Sequence, residues 1–119
     1  AYPCGGVNND DRVAAVLREK TGVRFSRTIT STHNFDLQTN LFRFNPTVYY
    51  TEADKMFALA EEFLSSQKNT PQLFYIWGHT YELDYGDSIT WERFEEFCRL
   101  VSGHADVFYA TNSQILTAK

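Results

Sequence analysis

The residues best suited to acid–base chemistry follow a single apolar run in the middle of the chain. Residues 73–77 are five consecutive apolar or aromatic residues, and Gly78, His79 and Glu82 come directly after them. Such a run is typical of a strand buried on both faces. Ligands gather beyond the carboxyl ends of parallel strands, and histidine exchanges protons near neutral pH. The pattern therefore indicates a proton-transferring His79, with a loop histidine hydrogen-bonded for structure as the alternative.

The other histidines and the cysteines give weaker signals. No two histidines have the i, i+4 spacing of a local zinc motif, so His33 and His79 could meet only through the fold. His104 follows a predicted helix end and is most simply a cation at the negative end of the helix dipole. Cys4 is a candidate nucleophile or a small residue in a tight loop. Its distance from Cys98 excludes a CxxC site and leaves their pairing open.

The composition is that of a folded domain. The 119 residues are 43% hydrophobic and 22% charged, which is enough to bury a core. With a net charge of −4 and no cluster of Lys and Arg, we expect no nucleic-acid partner. No apolar run approaches the length of a membrane span, so we expect no membrane partner. Residues 1–4 and a sole methionine at Met56 are typical of a piece of a longer polypeptide, and the compartment is not predicted.

Helices and strands alternate along the chain. Three strands are predicted, at residues 23–29, 73–77 and 107–110, and residues 41–44 are at most a short edge strand. Four helices are predicted: one with N-cap candidates at Asn8 to Asp11 and ended by Gly22, one after a Thr51–Asp54 capping box, one capped by Thr90 and ended by Gly103, and a short one from Asn112 or Ser113. The inward-facing residues are predicted to be Val13, Val16 and Leu17, then Met56, Leu59, Ala60, Phe63 and Leu64, then Trp91, Phe94, Cys98 and Val101.

This alternation predicts an α/β fold, a mostly parallel sheet with flanking helices, formed by residues 1–119 as one domain. The loops that follow the strands should gather at one edge of the sheet. That edge would bring the Cys4-Gly5-Gly6 loop and the segment after Ile29 close to His79.

Taken together, these stretches resemble the second half of the polysaccharide deacetylase (NodB-homology) family. The string Trp-Gly-His-Thr-Tyr-Glu at residues 77–82 is similar to the family's late strand–loop block, which one subgroup writes I-W-G-H-S-Y-E-F. Weaker similarities lie at residues 2–5, at Arg27-Thr28 and the Phe35 segment, in the Trp91 helix and at residues 106–112.

The resemblance implies the second half of an incomplete (β/α) barrel that removes an acetyl group from a sugar amide or ester with the help of a divalent metal, zinc or similar. His79 matches the general acid. The backbone of Cys4 matches a position that stabilises the oxyanion. The candidate substrate-binding residues are Trp77, Tyr81, Glu82 and Arg27.

Two motifs of the family are absent from this sequence. The family's Thr-Phe-Asp-Asp block and its paired metal histidines belong to the first half and are absent from these 119 residues. We therefore expect no metal site in this chain, no deacetylation by the chain alone, and activity on an acetylated carbohydrate in a longer parent. The alternative is a non-catalytic carbohydrate-binding or assembly module. Half a barrel leaves a sheet edge unpaired, so a homo-oligomer is expected.

Overall fold

Parallel pairing of two short strands organises the chain. The computed structural model describes residues 1–4 and 8–118, and the predicted loop residues Gly5 and Gly6 lie outside the described residues. Strand β1 (Val48–Tyr49) pairs in parallel with β2 (Ile76–Trp77), Val48 opposite Ile76 and Tyr49 opposite Trp77. With five α-helices in the described ranges, the predicted α/β class is confirmed.

Three of the five α-helices in the described ranges begin at a side-chain cap. The five helices are α1 (Asp11–Lys20), α2 (Ala53–Ser65), α3 (Tyr81–Tyr85), α4 (Trp91–Val101) and α5 (Asn112–Leu116). The Asp10 carboxylate accepts the backbone N–H of Val13 at 2.9 Å, and Thr90 and Thr111 cap α4 and α5 in the same way. Side-chain caps satisfy backbone donors that have no partner inside the helix. The predicted starts of these three helices are confirmed.

Extended backbone continues the parallel arrangement beyond the two strands. Arg27 forms a parallel bridge with Phe44, and residues 26–33 run alongside residues 44–47. The backbone N–H groups of Thr28, Thr32 and His33 donate to the carbonyls of Phe44, Pro46 and Thr47 at 2.8, 3.0 and 3.0 Å. Together with β2, three neighbouring extended segments therefore lie in the order in which they occur in the chain.

The core lies where α2 and α4 meet the strands. Met56 and Val48 have no exposed surface, and the rings of Phe57 and Phe97 meet edge to face at 5.7 Å. The predicted apolar stripe of α2 is largely confirmed, with Met56, Leu59 and Ala60 buried. The core cluster consists of Phe35, Val48, Tyr50, Met56, Leu59, Ala60, Leu83, Ile89 and Phe97.

Most of the predicted strands are wrong in extent. Of residues 73–77 only Ile76–Trp77 form a strand, and both residues are half-buried rather than buried on two faces. Residues 23–29 contribute the single bridge of Arg27. Residues 41–43 form a 3₁₀ turn instead of an edge strand. Residues 107–110 form no strand in the described structure.

The predicted inward face of α4 is confirmed in part. Phe94 and Val101 pack against the core cluster, whereas Trp91 and Cys98 are exposed. Phe97, which was not predicted to face inward, is buried at 3% exposure. Trp91 lies at the first helical position, where its Nε1–H donates to the Asp84 carboxylate at 2.8 Å. This hydrogen bond holds the indole at the surface, and the inward face is centred on Phe97 instead.

Helices α1 and α2 also differ from the predictions, in burial and in capping. In α1 only Ala14 is buried, and Val13 and Val16 are exposed, because this short helix touches the rest of the molecule along a narrow strip. In α2 the N-cap residue is Glu52, without a side-chain cap hydrogen bond. The predicted Thr51–Asp54 capping box is therefore wrong, because the turn after β1 starts the helix one residue later.

The absence of a side chain at Gly78 is a requirement of the packing. A Cβ there would overlap the ring of the buried Tyr50. We expect Gly78→Ala to lower the free energy of unfolding by about 1–3 kcal/mol, because overpacking forces the neighbouring side chain to shift. Urea denaturation measures it. The matched control is Gly22→Ala, where an added Cβ meets nothing within 4 Å. Equal stability of the two variants would contradict this account of Gly78.

Candidate functional site

His79 follows β2 and is oriented by Glu82 of α3. The Glu82 carboxylate accepts the backbone N–H of His79 at 2.9 Å, and its other oxygen lies 3.5 Å from His79 Nδ1. The same carboxylate accepts the phenol hydroxyl of Tyr49. The His79 side chain is 51% exposed, whereas that of Glu82 is 15% exposed. The imidazole is thus held in place on one side and open to solvent on the other.

Aromatic rings form a wall next to this histidine. The rings of Tyr49 and Trp77 stack at 4.0 Å, nearly parallel, and the His79 ring meets Trp77 edge to face at 5.6 Å. The guanidinium of Arg27 lies 4.4 Å from the centroid of the Trp77 ring, a favourable cation–π distance. Burial lowers the pKa of Arg27 below its ordinary value. Its charge rests on an aromatic face, and no carboxylate of the described residues lies within ion-pair distance.

The backbone around His79 is fixed by Tyr50. The Tyr50 hydroxyl donates to the His79 carbonyl, and its ring covers Gly78. Burial raises the pKa of the Tyr50 phenol above its ordinary value, because the phenolate would lose its hydration. The junction between β2 and α3 is therefore anchored to the residue directly after β1.

Sequence reasoning missed a second histidine–carboxylate pair at the same edge. His33 Nε2 lies 3.3 Å from Glu52 Oε1, and the Ser31 hydroxyl donates to the other Glu52 oxygen at 3.5 Å. His33 has a φ of 52°, in the left-handed region that few non-glycine residues adopt. His33 and His79 thus contact different carboxylates. No local sequence signal marked this pair, because His33 and Glu52 are 19 positions apart.

The remaining predicted site residues divide into two groups. Tyr81 stacks on the His79 ring at 5.3 Å and is 55% exposed, so it extends the aromatic wall. Cys4 is exposed with a φ of 55° and takes no part in the contacts around His79. Its segment lies beside Arg27, whose carbonyl accepts the backbone N–H of Tyr2 at 3.0 Å. Cys4 and Cys98 are both free thiols.

His104 lies apart from this group. Its Nε2 is 2.8 Å from the carbonyl oxygen of Leu100, in the last turn of α4. The imidazole therefore donates a hydrogen bond to a carbonyl at the negative end of the helix, the position expected from the sequence.

Comparisons with protein-family models, with curated proteins and with solved structures found no match. Within residues 1–4 and 8–118, no group of three or more His, Cys, Asp or Glu side chains is placed to hold a metal ion. In the same part of the chain, no helix has the length and apolar character needed to cross a membrane.

The raised pKa of Tyr50 predicts a loss of stability at alkaline pH. The unfolded chain releases the phenol proton near pH 10, before the folded protein does. The stabilisation is therefore present below about pH 10 and falls as the pH rises through the folded pKa. Urea unfolding at about pH 8 and about pH 10.5 measures this fall.

Tyr50→Phe should make the fall smaller, because that variant has no phenol proton to release at position 50. Tyr85→Phe is the control, since Tyr85 is 73% exposed and should leave the fall unchanged. An undiminished fall in Tyr50→Phe would contradict the prediction.

Proposed function

We propose that this chain is the carboxyl-terminal portion of a carbohydrate deacetylase-like domain, in which His79 protonates the leaving group of an acetylated sugar. The observation that carries the proposal is an accessible histidine after a strand, held by a carboxylate. A general acid must be fixed by a neighbour and still reach its substrate. Glu82 fixes the His79 backbone at 2.9 Å and approaches Nδ1 at 3.5 Å, and half of the side chain remains exposed.

The hydrogen-bonding pattern assigns the two ring nitrogens different tasks. In the protonated imidazole both nitrogens donate. Nδ1–H then faces the Glu82 carboxylate, and Nε2–H is left for the leaving amine or alcohol. As the bond between the acetyl carbon and this leaving atom breaks, the proton passes from Nε2 to the leaving atom. The hydroxyl of Tyr49 on the same carboxylate keeps Glu82 aligned throughout.

A mainly apolar cleft of about 440 Å³ beside the site supports an acyl substrate. Trp77 and Gly78 contribute to it as well as to the surroundings of His79. Small-molecule sites commonly combine an apolar lining with a few polar groups, and the methyl of an acetyl group suits such a lining. The lining residues are Tyr50, Ile76, Trp77, Gly78, Thr80, Leu83, Trp91 and Phe94.

The order of the extended segments supports the barrel part of the proposal. Residues 26–33, 44–49 and 76–77 are neighbours in chain order and parallel, as successive strands of a (β/α) barrel are. The described residues do not fit a metal site. The proposal therefore assigns the divalent metal, and activation of the water, to a part of the parent protein outside this chain.

Acetate release from acetylated chito-oligosaccharides tests this function. The 119-residue chain should release none, and the complete translation product of its gene should be active. In that product His79→Gln should lower kcat by about 10²–10⁴-fold, the usual contribution of a general acid, with little change in KM. His104→Gln is the matched control, because its imidazole serves only the end of α4. An inactive complete product, or full activity in His79→Gln, would contradict the proposal.

The exposed rings favour a non-catalytic carbohydrate-binding module as the second candidate. Tyr81 and Tyr85 are 55% and 73% exposed, and their rings lie 5.8 Å apart. Exposed aromatic rings offer a flat apolar face, which the C–H face of a sugar ring can cover.

On this reading the chain alone binds acetylated chito-oligosaccharides, and calorimetry measures the affinity. Tyr81→Ala should weaken binding by about three- to tenfold, the equivalent of one aromatic contact. Tyr109→Ala, which also removes a half-exposed ring but outside this pair, is the control. Equal affinity of the Tyr81 and Tyr109 variants would exclude this candidate.

A further inference from the structure

A second cleft, of about 500 Å³, shares no lining residue with the cleft beside His79. Its lining residues are Asn9, Thr28, Thr30, Leu37, Gln38, Thr39, Asn40, Arg43 and Asn45. Its volume is within the range of roughly 300–1,000 Å³ that small-molecule sites occupy. We infer that this cleft binds a neutral, hydroxyl-rich ligand, namely one saccharide unit. The inference does not depend on the proposed role of His79, since the cleft can hold a sugar whether or not the chain takes part in deacetylation.

Part of the lining is a fixed polar framework. Thr28 is 3% exposed, and its hydroxyl donates to the Asn45 side chain at 2.5 Å. Gln38 donates from its amide to the Asn45 carbonyl at 2.6 Å and accepts the Asn45 backbone N–H at 2.8 Å. These three residues are therefore locked together without a ligand. Because these side chains are ordered before a ligand arrives, binding does not include the free-energy cost of ordering them.

The other polar groups of the cleft are available to a ligand. Thr30, Thr39 and Asn40 line it and are exposed, and in the described structure their side chains make no hydrogen bond. Hydroxyls both donate and accept, and a carboxamide does the same with two separate atoms. Sugar hydroxyls have this same dual character. Leu37, 59% exposed in the same lining, supplies an apolar surface for the C–H face of the ring.

The charge of the cleft favours a neutral ligand over an anion. Among the lining residues that the structure describes, Arg43 is the only ionisable one. One end of the guanidinium lies 3.1 Å from the Asp11 carboxylate, and another nitrogen donates to the Asn9 side chain at 3.0 Å. The charge of Arg43 is therefore already countered by Asp11, and its buried Nε–H donates to no atom of the described residues. No carboxylate of residues 1–4 and 8–118 lines the cleft to attract a cation.

Nuclear magnetic resonance titration of the ¹⁵N-labelled chain tests the inference. The probes are cellobiose, a neutral disaccharide, and glucuronate, a charged sugar. We expect cellobiose to shift the backbone amides of Thr30, Thr39, Asn40 and Asn45. Thr39→Val keeps the shape of the side chain and removes its hydroxyl. It should weaken the binding of cellobiose by about two- to tenfold, as the loss of one hydrogen bond does. Thr70→Val, at an exposed threonine outside the cleft, is the matched control and should bind as the unaltered chain does.

Three results would overturn the inference. Absence of cellobiose-induced shifts at the cleft residues at millimolar concentrations would exclude the saccharide site. Shifts confined to His79 and Tyr81 would place sugar binding at the proposed deacetylase site and not in the cleft. Tighter binding of glucuronate than of cellobiose would show that Arg43 makes this an anion site. Thr30→Val gives an independent reading if Thr39→Val alters the folded spectrum.

Discussion

The contact between the Tyr50 ring and the backbone of Gly78 is the constraint on which the candidate site depends. Tyr50 follows β1 and Gly78 follows β2, so their contact joins the carboxyl ends of the two strands. The ring needs the space that a side chain at position 78 would take, and its hydroxyl then reaches the His79 carbonyl. Parallel pairing of four residues alone would be too short to hold the loops in place. The contact of Tyr50 with Gly78 and His79 therefore fixes the positions of the loops that follow the two strands.

Carboxylates then determine which side chains face that edge. Glu82 gathers the His79 backbone, the His79 ring and the Tyr49 hydroxyl around one partly buried group. Glu52, in the turn after β1, contacts the His33 ring and accepts a hydrogen bond from Ser31. Each imidazole is thus oriented by an acid that comes from the turn or helix after a strand. This arrangement leaves both rings accessible while their orientations are set.

Apart from the Thr51–Asp54 capping box, the local interactions described here were predictable from the sequence. Contacts between distant residues were not. The starts of α1 and α4 follow from Asp10 and Thr90, whose side chains bond to backbone N–H groups three residues on. His79 and Glu82 are three residues apart, so their proximity could also be anticipated. Strand β1, by contrast, has only two residues and exists because β2, 28 positions later, pairs with it. No periodicity can develop over two residues.

The same distinction applies to the site and to the cleft. Tyr49 and Glu52 complete the surroundings of the histidines through contacts that span 33 and 19 positions, and no local pattern marks them. Trp91 was misplaced because its helical position indicates burial, while its bond to Asp84 draws it outward. The cleft was missed because its threonines and amides are the ordinary composition of a loop. Only folding shows that they surround one space.

The positions of the two tryptophans have an optical consequence. Trp91 is half exposed and reports on solvent, whereas Trp77 is stacked on Tyr49, borders Arg27 and touches the ring of His79. Both indoles line the apolar cleft beside His79, so a molecule that enters it alters the surroundings of a stacked indole and of a half-exposed one together. The protein therefore contains two intrinsic fluorophores in the lining of its candidate site.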